Sequence, residues 1–64
     1  MKNKIYIYNK TGNQYRVLGD AKFKHPETRE WVKCIIYQSV DTGETYVRET
    51  GEFMERFTEQ IKSF

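Results

Sequence analysis

Sixty-four residues make one domain, 1–64, and a chain of this length buries only about 60% of the surface that its unfolded form exposes. A single Cys and a single His exclude an internal disulfide and the four-ligand Cys/His set of a structural zinc site, so neither a metal nor a cofactor is expected. The net charge of +2, from 11 Lys and Arg against 9 Asp and Glu, is spread along the chain without the basic block of a dedicated nucleic-acid binder.

Stability must then come from packing or from self-association, so a homo-oligomer is a further expectation. Packing is well supplied, because five Tyr, four Phe and one Trp carry much buriable area each. No apolar run approaches the ~18 residues of a membrane span. The start MKNKIYIYNK has no apolar stretch of the kind a signal peptide needs. A lone Cys suits a reducing compartment. These features point to a cytoplasmic protein with no membrane partner.

In chain order, Ile5 to Tyr8 (IYIY) alternates β-branched and aromatic residues and reads as a strand. Asn9 to Asn13 supplies a Gly- and Asn-containing turn. Gln14 to Lys24 reads as one long strand, with Tyr15, Val17, Ala21 and Phe23 on one face. Leu18 breaks the alternation, and Gly19 in mid-run suggests a bulge or bend. His25 to Glu30 is a loop, since Pro26 biases the residue before it away from helix. Trp31 to Val40 is a second long strand with apolar residues on both faces, which predicts a strand covered on two sides. Asp41-Thr42-Gly43 then separates it from Thr45 to Glu49, a hairpin signal with Gly at the left-handed position.

The C-terminal segment supports two readings. Phe53, Phe57, Ile61 and Phe64 fall on one face of a helix, which Thr50 could cap. The other reading is a single helical turn over Gly51 to Met54, then a short closing strand near Glu55 to Glu59. The expected core is Val17, Leu18, Phe23, Val32, Ile35, Ile36, Val47 and Phe53.

The segments GNQYRVLGDAK, HPETRE, VKCIIYQ, YVRE and EFMERF occur in an order that resembles the bacterial and phage family called domain of unknown function 1653. Members typically read Lys-Gly-Asn-x-Tyr, Val-Leu-Gly-x-Ala, His-Ser-Glu-Thr, Val-Tyr-Gln, Tyr- or Trp-Val-Arg-Pro, and a Met-Phe pair. The matching residues are Gly12, Asn13, Tyr15, Val17, Leu18, Gly19, Ala21, His25, Glu27, Thr28, Tyr37, Gln38, Tyr46, Val47, Arg48 and Phe53, and the likeness as a whole covers roughly residues 6 to 57. Glu49 replaces the usual Pro, Pro26 replaces the Ser, and the segment from Ala21 to His25 is longer than usual. The resemblance implies an SH3-like fold and favours the turn-plus-strand reading of the C-terminus. It implies no known activity.

The fold class expected is all-β: a small, partly open SH3-like five-stranded barrel with a short C-terminal helical turn. The alternative is an α+β domain whose amphipathic helix runs from Phe53 to Phe64.

Candidates for chemistry are few. His25 could act as a general acid or base, oriented by Glu27, with Arg48 polarising a substrate. The competing account is a loop histidine that, with Thr28, hydrogen-bonds its own turn. A nucleophile is also required, and Cys34 in mid-strand reads as a buried, inert thiol. The acid pairs Glu27/Glu30 and Asp41/Glu44 sit in turns, where carboxylates serve solvation. Gly12 and Gly19 lack the strand–loop–helix setting of a phosphate loop. No catalytic residue is therefore assigned, and the chain is not expected to be an enzyme.

Binding is the stronger expectation. A core this small cannot hide every aromatic, and exposed Tyr and Trp are good contact residues. Tyr37, Tyr46 and Trp31, with Arg48, His25 and Glu27, form the expected binding set of a protein- or peptide-binding module. The alternative is a single-stranded nucleic-acid binder, with Tyr and Trp stacking on bases and Arg16, Lys22, Lys24, Lys33 and Arg48 meeting phosphates. A protein partner is favoured because acids stand beside the bases in sequence: Asp20 near Lys22, Glu30 near Lys33, Glu49 beside Arg48.

Overall fold

The alternating runs become strands, and the Gly-containing segments between them become turns. The computed structural model describes residues 2–61. Strand β1 is Ile5–Tyr8, β2 is Gln14–Lys24, β3 is Trp31–Ser39 and β4 is Thr45–Glu49; helix α1, Thr50–Arg56, leads directly into β5, Phe57–Glu59. All pairings are antiparallel in a single sheet of order β4-β3-β2-β1-β5. The fold is therefore mostly β with one short helix. The edge strands β4 and β5 do not pair with each other, so the sheet is not closed into a barrel. Its long axis is set by the β2–β3 ribbon, which gives the molecule extents of 45 × 21 × 21 Å.

Two turns follow their sequence signals. Gly12 and Gly43 take φ of +80° and +78°, a region open to Gly at no steric cost. In the β3–β4 turn, Ser39 Oγ accepts from the N–H groups of Asp41 and Thr42, and the Gly43 N–H closes on the Ser39 carbonyl.

The C-terminal segment adopts the turn-plus-strand form. A helix from Phe53 to Phe64 is excluded by β5, which is extended from Phe57 and paired with β1; Phe64 itself lies outside the described residues. The helix cap is also different from the one expected. Thr50 is the first helical residue, and Glu49 is the cap: its carboxylate accepts from the Gly51 and Glu52 N–H groups at 2.8 and 3.0 Å. Two donors that have no partner within the helix are thus satisfied by a charged acceptor at its positive end.

The register reassigns the faces. Leu18 is an extra residue between the pairs Val17↔Tyr37 and Gly19↔Ile36. Such a bulge inverts the alternation beyond it. Asp20, Lys22 and Lys24 therefore continue the face of Tyr15 and Val17, while Ala21 and Phe23 turn to the opposite one. Helix α1 lies on the first face through Phe53. The buried residues are Tyr6, Val17, Cys34, Ile35, Tyr37, Phe53, Phe57 and Ser39.

The expected core needs corresponding correction. Val17, Ile35 and Phe53 are buried, but Leu18, Val32 and Ile36 are only half-buried. Phe23 (44% exposed) and Val47 (62%) face solvent. The two-sided cover expected for β3 holds over its middle: Ile35 and Tyr37 are buried on the helix-bearing face and Cys34 on the other, where Val32 and Ile36 are half-buried. Cys34 is buried as expected.

Candidate functional site

The period-two rule and the observed register place Tyr6, Tyr8, Tyr15, Tyr37, Tyr46, Arg48 and Phe57 on the helix-bearing face. Tyr6 and Tyr37 sink into the core with Phe53 and Phe57. All of these face residues but Tyr6 line an open cleft of about 180 Å³, with Tyr37 and Phe57 at its floor and Tyr8, Tyr15, Tyr46 and Arg48 around it. Each of the strands contributes, so the cleft depends on the complete sheet.

Its aromatic walls are mutually supporting. Tyr15 meets Tyr37, Tyr46 and Phe57 edge-on at 5.5, 6.1 and 5.5 Å between centroids. Tyr46 stacks on Tyr37 at 5.6 Å, and Tyr8 lies 5.1 Å from Phe57. These are the separations at which aromatic pairs attract beyond the area they bury. Tyr46 is the most open of the walls, at the β4 edge.

Arg48 lies over the Tyr8 and Phe57 rings, 5.7 and 5.6 Å from their centroids. Its Nε donates to the Tyr37 hydroxyl and its Nη1 to Glu52 Oε1, each at 3.3 Å. The same Glu52 oxygen lies 3.1 Å from Arg56 Nε in a second ion pair. Partial burial works against the guanidinium's charge, but the Tyr37 hydroxyl and the nearby Glu52 outweigh it and hold the pKa above its usual value. Arg48 is thus a fixed cation against two ring faces. At the rim the Tyr46 hydroxyl donates to Glu44 Oε2 at 2.7 Å, and that bond raises the Tyr46 pKa.

Of the residues expected from sequence, Tyr37, Tyr46 and Arg48 come together here. Trp31, His25 and Glu27 do not. Trp31 is six residues from Tyr37 along β3, about 20 Å away in extended chain. His25 and Glu27 lie beyond it in the loop that caps the ribbon. There, His25 Nδ1 accepts from the Glu27 and Thr28 N–H groups at 3.1 and 3.3 Å. The imidazole organises its own loop, in which Arg29 takes a left-handed φ of 64°. Arg48 is far from this histidine in the fold and bonded elsewhere, so the two form no common site.

Tyr8, Tyr15 and Phe57 were absent from the expected site. The first two had a signal: Tyr8 alternates with Tyr6, and the tight turn after Tyr8 brings Tyr15 back opposite Tyr6. Phe57 had none, because its spacing of four from Phe53 imitates a helix.

Among the described residues no group of three or more His, Cys, Asp or Glu side chains gathers to hold a metal, and no helix is long and apolar enough to cross a membrane. No protein-family model, curated protein or solved structure matches the chain.

Proposed function

We propose that the protein is a non-catalytic protein- or peptide-binding module, and that the Tyr8–Tyr15–Tyr37–Tyr46–Arg48–Phe57 cleft is its contact site. The cleft itself carries the reading: preformed aromatic walls, open to solvent, around one immobilised cation. Rigid Tyr rings offer contact area at little entropic cost, and Tyr and Arg dominate the energetics of protein interfaces. A cleft of about 180 Å³ accepts a side chain or two of a partner rather than a large ligand. The guanidinium disfavours a cationic guest and suits a carboxylate or backbone carbonyl.

An SH3-like assignment is part of the same proposal. It is supported by the strand order, in which β5 returns beside β1 after a short helix that follows β4. Membership of the domain of unknown function 1653 family is proposed with it on the motifs quoted above, and a cytoplasmic setting on the lone Cys.

The test is capture from lysate with wild-type protein, Tyr46→Ala and Trp31→Ala side by side, in the presence of nuclease and at two salt concentrations. A protein retained by wild type and Trp31→Ala but lost with Tyr46→Ala is the expected result. Retention independent of Tyr46 would place the contact elsewhere. Sedimentation of the same samples reads self-association directly.

A further inference from the structure

Beyond the bulge, the β2–β3 ribbon has a second chemically distinctive surface. Lys22 stands directly opposite Lys33, and Lys24 opposite Trp31, so all four side chains occupy one face. Opposed residues of an antiparallel pair have Cβ atoms about 5 Å apart, and like charges in that position repel. The acids expected from sequence to neutralise these lysines do not do so. Among the described residues the ion pairs are Lys4–Glu59, Arg48–Glu52 and Arg56–Glu52, and none involves Lys22, Lys24 or Lys33. Asp20 shares the face one pair nearer the body, and Glu27 and Glu30 lie in the loop, all without an ion pair to these lysines.

Trp31 is 65% exposed, with Lys24 Nζ 5.9 Å from its ring centroid. A large ring in water beside an uncompensated cation lacks any role in the core. The ring offers a flat stacking surface, and the Lys22–Lys33 pair offers a place where a bridging anion relieves repulsion.

We infer that this face of the ribbon binds single-stranded nucleic acid, one base stacking on Trp31 and the adjoining phosphates lying along Lys22, Lys33 and Lys24. Stacking is tolerant of base identity, and lysines read phosphate without sequence, so the surface binds with little sequence preference. An acidic peptide would satisfy the lysines but leave the ring unused. The surface is separate from the aromatic cleft, and either can fail without the other.

The chain's single Trp makes the test direct, because its emission reports on Trp31 alone. Oligo-dT and oligo-U of about ten nucleotides are titrated into the protein, and labelled versions are followed by anisotropy for the variants. Saturable quenching is expected with at least one of them. Its log-affinity should fall against log[salt] with a slope of about −2, and Lys22→Gln or Lys33→Gln should each remove about 0.7 of that slope. Trp31→Ala should weaken binding roughly 5- to 100-fold, and Tyr46→Ala less than twofold. The ratio between the two oligomers separates RNA from DNA as the natural source. Polyphosphate and poly-glutamate serve as base-free anions. The inference is overturned if these compete as well per charge as the oligomers, if Trp31→Ala leaves affinity unchanged, or if neither oligomer binds at low salt. It is also overturned if Tyr46→Ala costs as much as Trp31→Ala. All the substituted residues are exposed, and circular dichroism confirms that each variant is folded.

Discussion

Phe57, the first residue of β5, stacks on Phe53 of the helix before it, with centroids 4.2 Å apart and planes 10° from parallel. The contact locks a short helix to a three-residue strand, neither of which is long enough to persist alone. Tyr6 and Tyr37 meet the same Phe53 ring at 5.2 and 5.1 Å, so this pair joins the helix to β1 and β3.

Phe53→Ala should therefore cost about 3–5 kcal/mol, enough to unfold a domain of this size. Urea denaturation followed by circular dichroism measures it. The same experiment separates neighbouring positions on β3. Ile35 is buried and Ile36 half-buried, so Ile35→Ala should lower the urea midpoint clearly more than Ile36→Ala. The reverse order would mean that the β3 register is shifted by one residue.

Glu49 gives a second prediction. Its carboxylate accepts two helix N–H groups from an exposed position, and replacing a cap of this kind with Ala typically costs about 0.5–2 kcal/mol. Glu49→Ala should fall in the lower part of that range. Glu49→Gln should recover part of the loss, since its amide oxygen still accepts. Equal loss in both variants would assign the whole effect to charge.

High pH should destabilise the fold through Tyr6. Burial, and then the adjacent Glu59 carboxylate, raise its pKa above the ordinary 10.0. The folded protein therefore keeps this proton where the unfolded chain has released it. Stability is full below about pH 10 and declines as pH rises from there through the folded-state pKa. Tyr46 shifts in the same direction, first through its hydrogen bond to Glu44, and adds to the slope in the same window. Urea midpoints at a series of alkaline pH values should show a shallower decline for Tyr6→Phe than for wild type. An identical slope would remove Tyr6 from the account.

Strand positions were legible because alternation is local: β1, β2 and β4 match their sequence runs, and β3 ends one residue early. Which face each residue occupies was not. That depends on the side of Leu18 at which the extra residue is absorbed, and the choice inverts Phe23 and Lys22 together. The core expected from sequence contains no tyrosine, yet Tyr6 and Tyr37 bury their rings and place each hydroxyl on a partner, Glu59 and Arg48. Of the cleft, Tyr37, Tyr46 and Arg48 could be named as good contact residues. Their meeting with Tyr8 and Phe57 depends on β5 returning beside β1, a pairing of distant segments that no local pattern encodes.

Arg48 offers the most discriminating substitution. Lys in its place keeps the charge but cannot reproduce the planar group that faces Tyr8 and Phe57 while bonding Tyr37 and Glu52. Arg48→Lys should therefore behave almost like Arg48→Met, each losing about 1–2 kcal/mol of stability through the cation–ring contacts and the Tyr37 bond. The Glu52 pair is partly exposed and should add little, so Glu52→Gln alone should cost less than about 1 kcal/mol. Partner capture should respond more sharply than stability, because the cleft loses its fixed cation in both Arg48 variants. If Arg48→Lys retains wild-type stability and capture, charge alone suffices at this position, and the stacked geometry over Tyr8 and Phe57 is not what the cleft uses.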